Sequence, residues 1–168
     1  MRLSPIIYFT LGFISCISML GIAGYFQFVE ELEPCPLCPS HRIALLLVAI
    51  VMICAVLHNP RKFGIRFYAL TSTFAALIGA GVSARHVWLQ HLPPDEVPEC
   101  GPGLEYIFEN FPLAETLKLM LNGTGECAEV LWTFMGLSIP GWTLVAFLAL
   151  ATLSLLQFWN IKNEQEAG

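Results

Sequence analysis

From Leu3 to Val29 the chain reads LSPIIYFTLGFISCISMLGIAGYFQFV, without one Asp, Glu, Lys or Arg. A transmembrane helix needs about 20 mainly apolar residues to cross roughly 30 Å of hydrocarbon, and this run is long enough. Three further uncharged runs follow: Ile43 to Leu57, Phe67 to Ala84 and Trp142 to Ile161. The second is the shortest and, at about 1.5 Å per residue, falls short of the bilayer. His41, Arg42 and His58 extend it with polar ends suited to the interfaces. Its rival reading is a buried helix or a re-entrant segment. The rival for the first run is a cleaved signal peptide, but it is too long and lacks a convincing small-x-small cleavage site. The expectation is an all-α membrane protein with a single membrane domain over residues 1–168. It is a four-transmembrane-helix bundle, with spans at about 5–28, 41–59, 66–85 and 141–160.

Composition agrees. Of 168 residues, 56% are hydrophobic and 12% charged, against about 25% charged in soluble domains. Too few charges remain to coat a water-soluble surface, and the chain is far too apolar to be disordered. A net charge of −5, with eight Lys and Arg, leaves no basic footprint for nucleic acid.

Basic residues set the orientation. Arg2, the Arg61, Lys62 and Arg66 group, and Lys162 share one side of a four-span arrangement; Arg42, Arg85 and Lys118 take the other side or its boundary. Both termini are therefore expected to be cytoplasmic. Trp88, Trp142 and Trp159 fall at span ends, where interfacial anchors collect. The outward segments are loops at about 30–40 and 86–140. The long one opens with Pro93, Pro94, Pro98, Gly101, Pro102 and Gly103, which preclude regular structure. Beyond them Leu104, Ile107, Phe108 and Phe111, then Leu113, Leu117 and Leu121, recur at helical spacing. These predict one or two short helices lying on the membrane surface, with packing onto a partner domain as the rival. Asn122-Gly123-Thr124 fits a glycosylation acceptor, a three-residue pattern too weak to carry a conclusion.

Of six cysteines, Cys16 and Cys54 lie within spans and read as small hydrophobes without a role. Cys35, Cys38, Cys100 and Cys127 all face outward. In an oxidising compartment such as a periplasm, four outward cysteines imply two disulfides with three possible pairings. Spacing favours Cys35–Cys38 and Cys100–Cys127. Closing the short loop stabilises by about 2 kcal/mol and the long one by roughly 3.5. The short pair is thus a poor staple and makes more sense as a bond repeatedly opened and closed. Pro39 suits a first helical position, which predicts Cys38 at the N-cap of span two, where the helix dipole favours a thiolate. Arg42, four residues on, shares that helix face. Such a thiol, at the membrane surface, could meet a lipid-dissolved oxidant. A zinc site is disfavoured because the other two cysteines lack C-x-x-C spacing, and no metal is expected. No βαβ pattern surrounds the motif, as a thioredoxin-type domain would require.

Pro34-Cys35-Pro36-Leu37-Cys38 with Arg42, Arg85-His86-Val87-Trp88-Leu89-Gln90, Cys100-Gly101-Pro102, and Gly125-Glu126-Cys127-Ala128-Glu129 followed by Trp132, Phe134, Gly136 to Pro140 and Trp142 resemble the DsbB family of bacterial inner-membrane, disulfide-forming oxidoreductases. The resemblance covers nearly the whole chain. One departure is His41, where the family commonly has Gln or Glu. The resemblance implies an enzyme of the inner membrane that reoxidises a periplasmic, DsbA-like dithiol protein of thioredoxin fold and passes two electrons to ubiquinone or menaquinone. A route of that kind, from DsbA through DsbB to quinone, is what keeps a bacterial periplasm oxidising. The resemblance also implies that the partner attacks Cys100, that the released Cys127 attacks Cys35, and that an interloop Cys35–Cys127 bond can form. Cys38 then becomes the thiolate facing the quinone, with Arg42 stabilising charge and His86 beside the ring.

Two alternatives compete with it. A tetraspanin-like scaffold would have four spans and disulfides in the large outer loop, but needs no C-x-x-C against a span, and its Cys-Cys-Gly signature is missing. A vitamin K epoxide reductase-like enzyme places the loop pair before its C-x-x-C, the reverse of the order here.

Overall fold

The computed structural model describes residues 4–31, 34–99, 106 and 110–166, with side chains except at Lys62, Leu119 and residues 160–166. Helix α1 spans Pro5–Phe28, α2 Leu37–His58, α3 Lys62–Leu89, α4 Leu113–Asn122 and α5 Ile139–Glu166. Between α4 and α5 lie a 3-10 turn, Gly125–Ala128, and two short strands, β1 Thr133–Phe134 and β2 Leu137–Ser138. The strands form an antiparallel hairpin pairing Thr133 with Ser138 and Phe134 with Leu137. Met135 and Gly136 between them both have positive φ, as a two-residue type I′ turn demands.

Among the described residues, α1, α2, α3 from Phe63 and α5 to Trp159 are long and apolar enough to cross a membrane. The chain is a multi-pass membrane protein. Ile14, Ile17, Leu47, Ile50, Phe74 and Leu156 are exposed along these helices, an apolar coat that suits hydrocarbon rather than water. Hydroxyls within the spans are met locally: Thr10, Ser15, Thr71 and Thr152 each donate to the carbonyl four residues back.

The helices run further than the uncharged stretches. Helix α2 begins at Leu37 rather than near residue 41, and α3 extends beyond 66–85 at both ends. A polar residue does not terminate a helix at an interface, because long basic side chains carry their charge to water along an apolar stem. What ends α2 is Asn59, in the left-handed region at φ 43, followed by Pro60, a normal helix stop. Of the expected surface helices, α4 is present. The pattern starting at Leu104 lies, apart from Tyr106, Asn110 and Phe111, outside the described residues. On α4, Thr116 and Met120 are buried while Leu113, Leu117 and Leu121 are exposed. The apolar stripe read from the sequence therefore points away from the bundle.

The core packs Phe9 and Cys16 of α1, Leu45, Val48 and Met52 of α2, Ala76 and Ala80 of α3, and Phe147 and Leu150 of α5. The most extensive contact is between α3 and α5. Small residues permit that approach, as membrane helix pairs require: a Cβ on Gly79 would overlap the Phe147 ring. A buried hydroxyl pair, Ser72 and Ser154 at 3.0 Å, joins the same two helices. Gln157 Nε2 on α5 donates to the Pro5 carbonyl at 2.9 Å, tying in the first turn of α1.

Gly79→Ala should destabilise by about 1–3 kcal/mol, the usual cost of overpacking, because Phe147 is fully buried and cannot yield. Gly81→Ala, whose Cβ meets nothing within 4 Å, should be neutral or gain up to about 1 kcal/mol of helix propensity. Thermal unfolding of the two variants in detergent compares them; equal melting temperatures would refute the packing argument.

Candidate active site at one end of the bundle

The site starts in the first turn of α2. Pro36, not Cys38, is the N-cap, so Cys38 sits one position inside the helix, and Pro39 just beyond it. Proline is tolerated there because the first four N–H groups of a helix have no intrahelical acceptor. The Cys38 N–H instead donates to the Cys35 carbonyl at 3.0 Å, closing a turn that brings the two sulfurs to 3.0 Å. Both are free thiols here, as is Cys127.

Cys127 arrives from the far loop. Helix α4 is held over α2 by the Ser40 hydroxyl, which donates to the Met120 carbonyl at 3.4 Å. Its end is held by Arg85 of α3, which donates to the Asn122 carbonyl at 3.3 Å and lies 4.4 Å from the Trp88 ring. The chain then reverses at Gly123, with φ 75, where any Cβ would strike Leu37 and Leu89. A glycine is required there on both counts. The stretch noted as a weak glycosylation pattern is thus the turn that seats the following cysteine. Gly125 N–H donates to the Glu99 carbonyl at 3.3 Å, and Cys127 N–H to the Thr124 carbonyl at 2.9 Å. Cys127 ends fully buried in a small cluster with Cys35, Leu37 and Leu89.

Cys35 lies between the other two thiols. As hydrogen-bond donor to Cys127 and then to Cys38, and as a buried group, it is held protonated, its pKa pushed well above the ordinary thiol range. Cys127 is pushed down to about 6, chiefly by accepting from Cys35, with help from backbone N–H groups against the opposing effect of burial. His86 Nε2 lies 3.7 Å from Cys35 Sγ. Its ring stacks on that of His41, centroids 5.2 Å apart and planes 10° from parallel. The His41 position, singled out in the sequence as a departure, is therefore a packing partner of His86.

Beside Cys38 opens a cavity of about 460 Å³ between α1, α2, the hairpin and α5. Its walls include Ile22, Phe26, Leu45 and Trp142; its polar groups include Gln27, Cys38, His41 and Arg42. Arg42 does not point to open water. It donates to Gln27 Oε1 and, at 3.1 Å, to the Ala23 carbonyl, both on α1. The outer wall is a run of rings: Phe26 to Trp132 at 5.3 Å, Trp132 stacked on Phe134 at 5.9 Å, and Phe134 to Trp142 at 6.2 Å. Trp142 Nε1 donates to the Phe134 carbonyl at 3.0 Å and fixes the hairpin over α5.

The structure thus brings together Cys35, Cys38, Cys127, Arg42 and His86 of the residues singled out from sequence. Cys100 lies outside the described residues, and with it the expected Cys100–Cys127 bridge. Sequence reasoning missed Gln27; the signal was an amide near the end of an otherwise apolar run.

The chain matches the family described as disulfide bond formation protein DsbB over residues 6–157. It is 61% identical over 152 residues to disulfide bond formation protein B of Methylococcus capsulatus, covering 90% of this chain and 93% of that protein. It is 60% identical over 157 residues to the Nitrosococcus oceani protein of the same name, covering 94% and 93%. The Hahella chejuensis protein of that name is 56% identical over 142 residues, covering 84% and 86%. The tetraspanin-like and epoxide reductase-like alternatives are set aside by this match.

A lowered pKa keeps Cys127 a thiolate above about pH 6 and protonates it below, so its nucleophilicity falls as the pH drops through that value. Ultraviolet absorbance of the reduced protein should show a thiolate step near pH 6 that vanishes in Cys127→Ser. Gly123→Ala should displace the turn and move the step up toward an ordinary thiol; an unmoved step would show that Gly123 does not seat Cys127.

Proposed function

Because the chain belongs to the DsbB family of disulfide bond formation proteins, we propose that it is a protein-dithiol:quinone oxidoreductase of the bacterial inner membrane, with both termini cytoplasmic. In this reading it reoxidises a DsbA-like periplasmic protein of thioredoxin fold and delivers the electrons to ubiquinone or menaquinone. The observation that carries the reading is the continuity of three sulfurs with an apolar cavity: Cys127 and Cys35 are neighbours, Cys35 and Cys38 are 3.0 Å apart, and Cys38 forms part of the cavity wall.

The cavity fits a quinone ring. Its walls are apolar and aromatic, its one cationic side chain is Arg42, and it is lined by His41, whose Nε2 is buried without a hydrogen-bond partner. A hydroxyl donor reaching it, as the reduced quinone carries, would relieve that cost, about 1–3 kcal/mol for an unsatisfied buried group. When bound, the quinone takes up two electrons and two protons.

The thiol steps balance among the chain's own residues. In the oxidised enzyme Cys35–Cys38 and Cys100–Cys127 are the two disulfides. A partner thiolate attacks Cys100 Sγ, forming a mixed disulfide and expelling Cys127 as a thiolate. Cys127 attacks Cys35 Sγ, forming Cys35–Cys127 and expelling Cys38 as a thiolate beside the cavity. The partner's second thiolate then resolves the mixed disulfide and frees Cys100. Cys100 attacks Cys127, restoring their bond and freeing Cys35. Two electrons have left the partner and reside as the Cys35 and Cys38 thiol pair, ready to pass on. With Cys35 in a disulfide its thiol no longer donates to Cys127, but the backbone contacts at Thr124 and Leu37 still favour the Cys127 thiolate, and a thiol with a lowered pKa is the better leaving group.

Arg42→Ala should raise the apparent KM for quinone roughly ten- to hundredfold, the equivalent of a lost charge-assisted hydrogen bond. Disulfide exchange with the partner should change much less. Steady-state kinetics with each substrate varied separates the two, and an unchanged quinone KM would leave Arg42 as a tie between α1 and α2 only. With a partner lacking its resolving cysteine, the trapped complex should carry the partner on Cys100. Mass spectrometry finding it on Cys127 or Cys35 would reverse the direction of the relay.

A further inference from the structure

The sequence holds a C-x-x-C pair with no second pair at metal-binding spacing, but folding supplies the missing donors. Cys35 Sγ, Cys127 Sγ and a ring nitrogen of His86 all lie within 4.8 Å of one another. Within that group, Cys35 Sγ is 3.7 Å from His86 Nε2. Cys38 Sγ lies 3.0 Å from Cys35 Sγ on the other side. Zinc binds thiolate sulfur at about 2.3 Å and imidazole nitrogen at about 2.0 Å, so ligand atoms in a tetrahedral site stand roughly 3.3–3.8 Å apart. Cys35, Cys127 and His86 approach those separations already, while Cys38, a further sulfur beside Cys35, has to turn toward them to complete a fourth position. Cys35, His86 and Cys127 are all buried, and His86 Nδ1 is a buried atom with no partner.

We propose that the reduced centre binds one thiophilic divalent cation of the zinc class, held by Cys35, Cys127 and His86 with Cys38 as fourth donor. The donor set is three sulfurs and one imidazole, a common closed zinc set. Thiols entering the coordination sphere give up their protons to solvent, and no electron moves. Any disulfide that includes Cys35 removes a ligand, so the ion binds reduced protein only. While bound, it engages the sulfur lone pairs that disulfide exchange needs and halts exchange at Cys35 and Cys127. The site follows from the placement of the side chains and stands apart from the quinone reading, which could fail without affecting it.

The test uses full-length protein in detergent, reduced with a phosphine that is then removed under inert gas. A Cys16→Ala, Cys54→Ala, Cys100→Ser background leaves only the three clustered thiols. Titration with Cd²⁺ should show thiolate-to-metal charge-transfer absorbance saturating at one ion per chain, and Zn²⁺ should compete with a chromophoric chelator. Cys127→Ser and His86→Ala should each weaken Zn²⁺ binding by at least the roughly ten- to hundredfold that losing a mere supporting partner costs. Oxidised protein should bind none. X-ray absorption at the zinc edge of the wild-type chain, which needs no variant to fold, should give a shell of three sulfurs and one nitrogen. Absence of stoichiometric binding by the reduced protein, undiminished binding in both variants, or a zinc shell of oxygen and nitrogen alone would overturn the proposal.

Discussion

Hydrocarbon offers no water to a peptide group, and an unmet N–H or C=O there costs several kcal/mol. Much of this architecture follows from that constraint. The spanning segments are helical, hydroxyls such as those of Thr10, Ser15, Thr71 and Thr152 turn back onto their own backbone, and Ser72 and Ser154 meet each other between helices. Irregular backbone is displaced to the ends of the bundle. At one end, between described helices, it is the turn Asn59 to Arg61. At the other it is a small structure in its own right, with α4, a 3-10 turn and a hairpin. The reactive side chains sit where the two regimes meet, beneath irregular backbone and at the mouths of α2 and α3.

At that boundary the thiols are unequal. Cys35 is the shared donor between two acceptor sulfurs, which raises its own pKa and depresses that of Cys127. The asymmetry does not come from a nearby ion pair. It comes from geometry: one thiol with two sulfur neighbours, packed under Leu37 and Leu89. Arg42, four residues beyond Cys38, is turned toward α1 and the cavity rather than toward Cys127.

Features local in sequence were legible there. Uncharged runs disclosed the four spans, because length and apolarity are what a bilayer selects. Cys35, Cys38 and Arg42 were legible because a single turn of helix fixes their relation. What escaped is what depends on distant residues touching. The N-cap was misplaced by two residues, since Pro36 and Pro39 both favour a helix start and only packing decides between them. His41 and His86 are 45 positions apart, and nothing in either neighbourhood announces that their rings stack. Gln27 looked like one polar residue in an apolar run until Arg42 reached it from the next helix. Gly123 needed both its positive φ and the two leucines it touches before its role could be read.

The hydrogen bond from Gly125 to the carbonyl of Glu99 is a modest contact at 3.3 Å, yet it acts as a mooring. Glu99 directly precedes Cys100, and Gly125 stands two places before Cys127. The start of the Cys127 turn is therefore fixed against Glu99 rather than hanging at the far end of a long loop. Holding Glu99 and Gly125 together already costs the intervening chain its ring-closure entropy, so a backbone contact, and not sulfur chemistry, carries that cost in this loop.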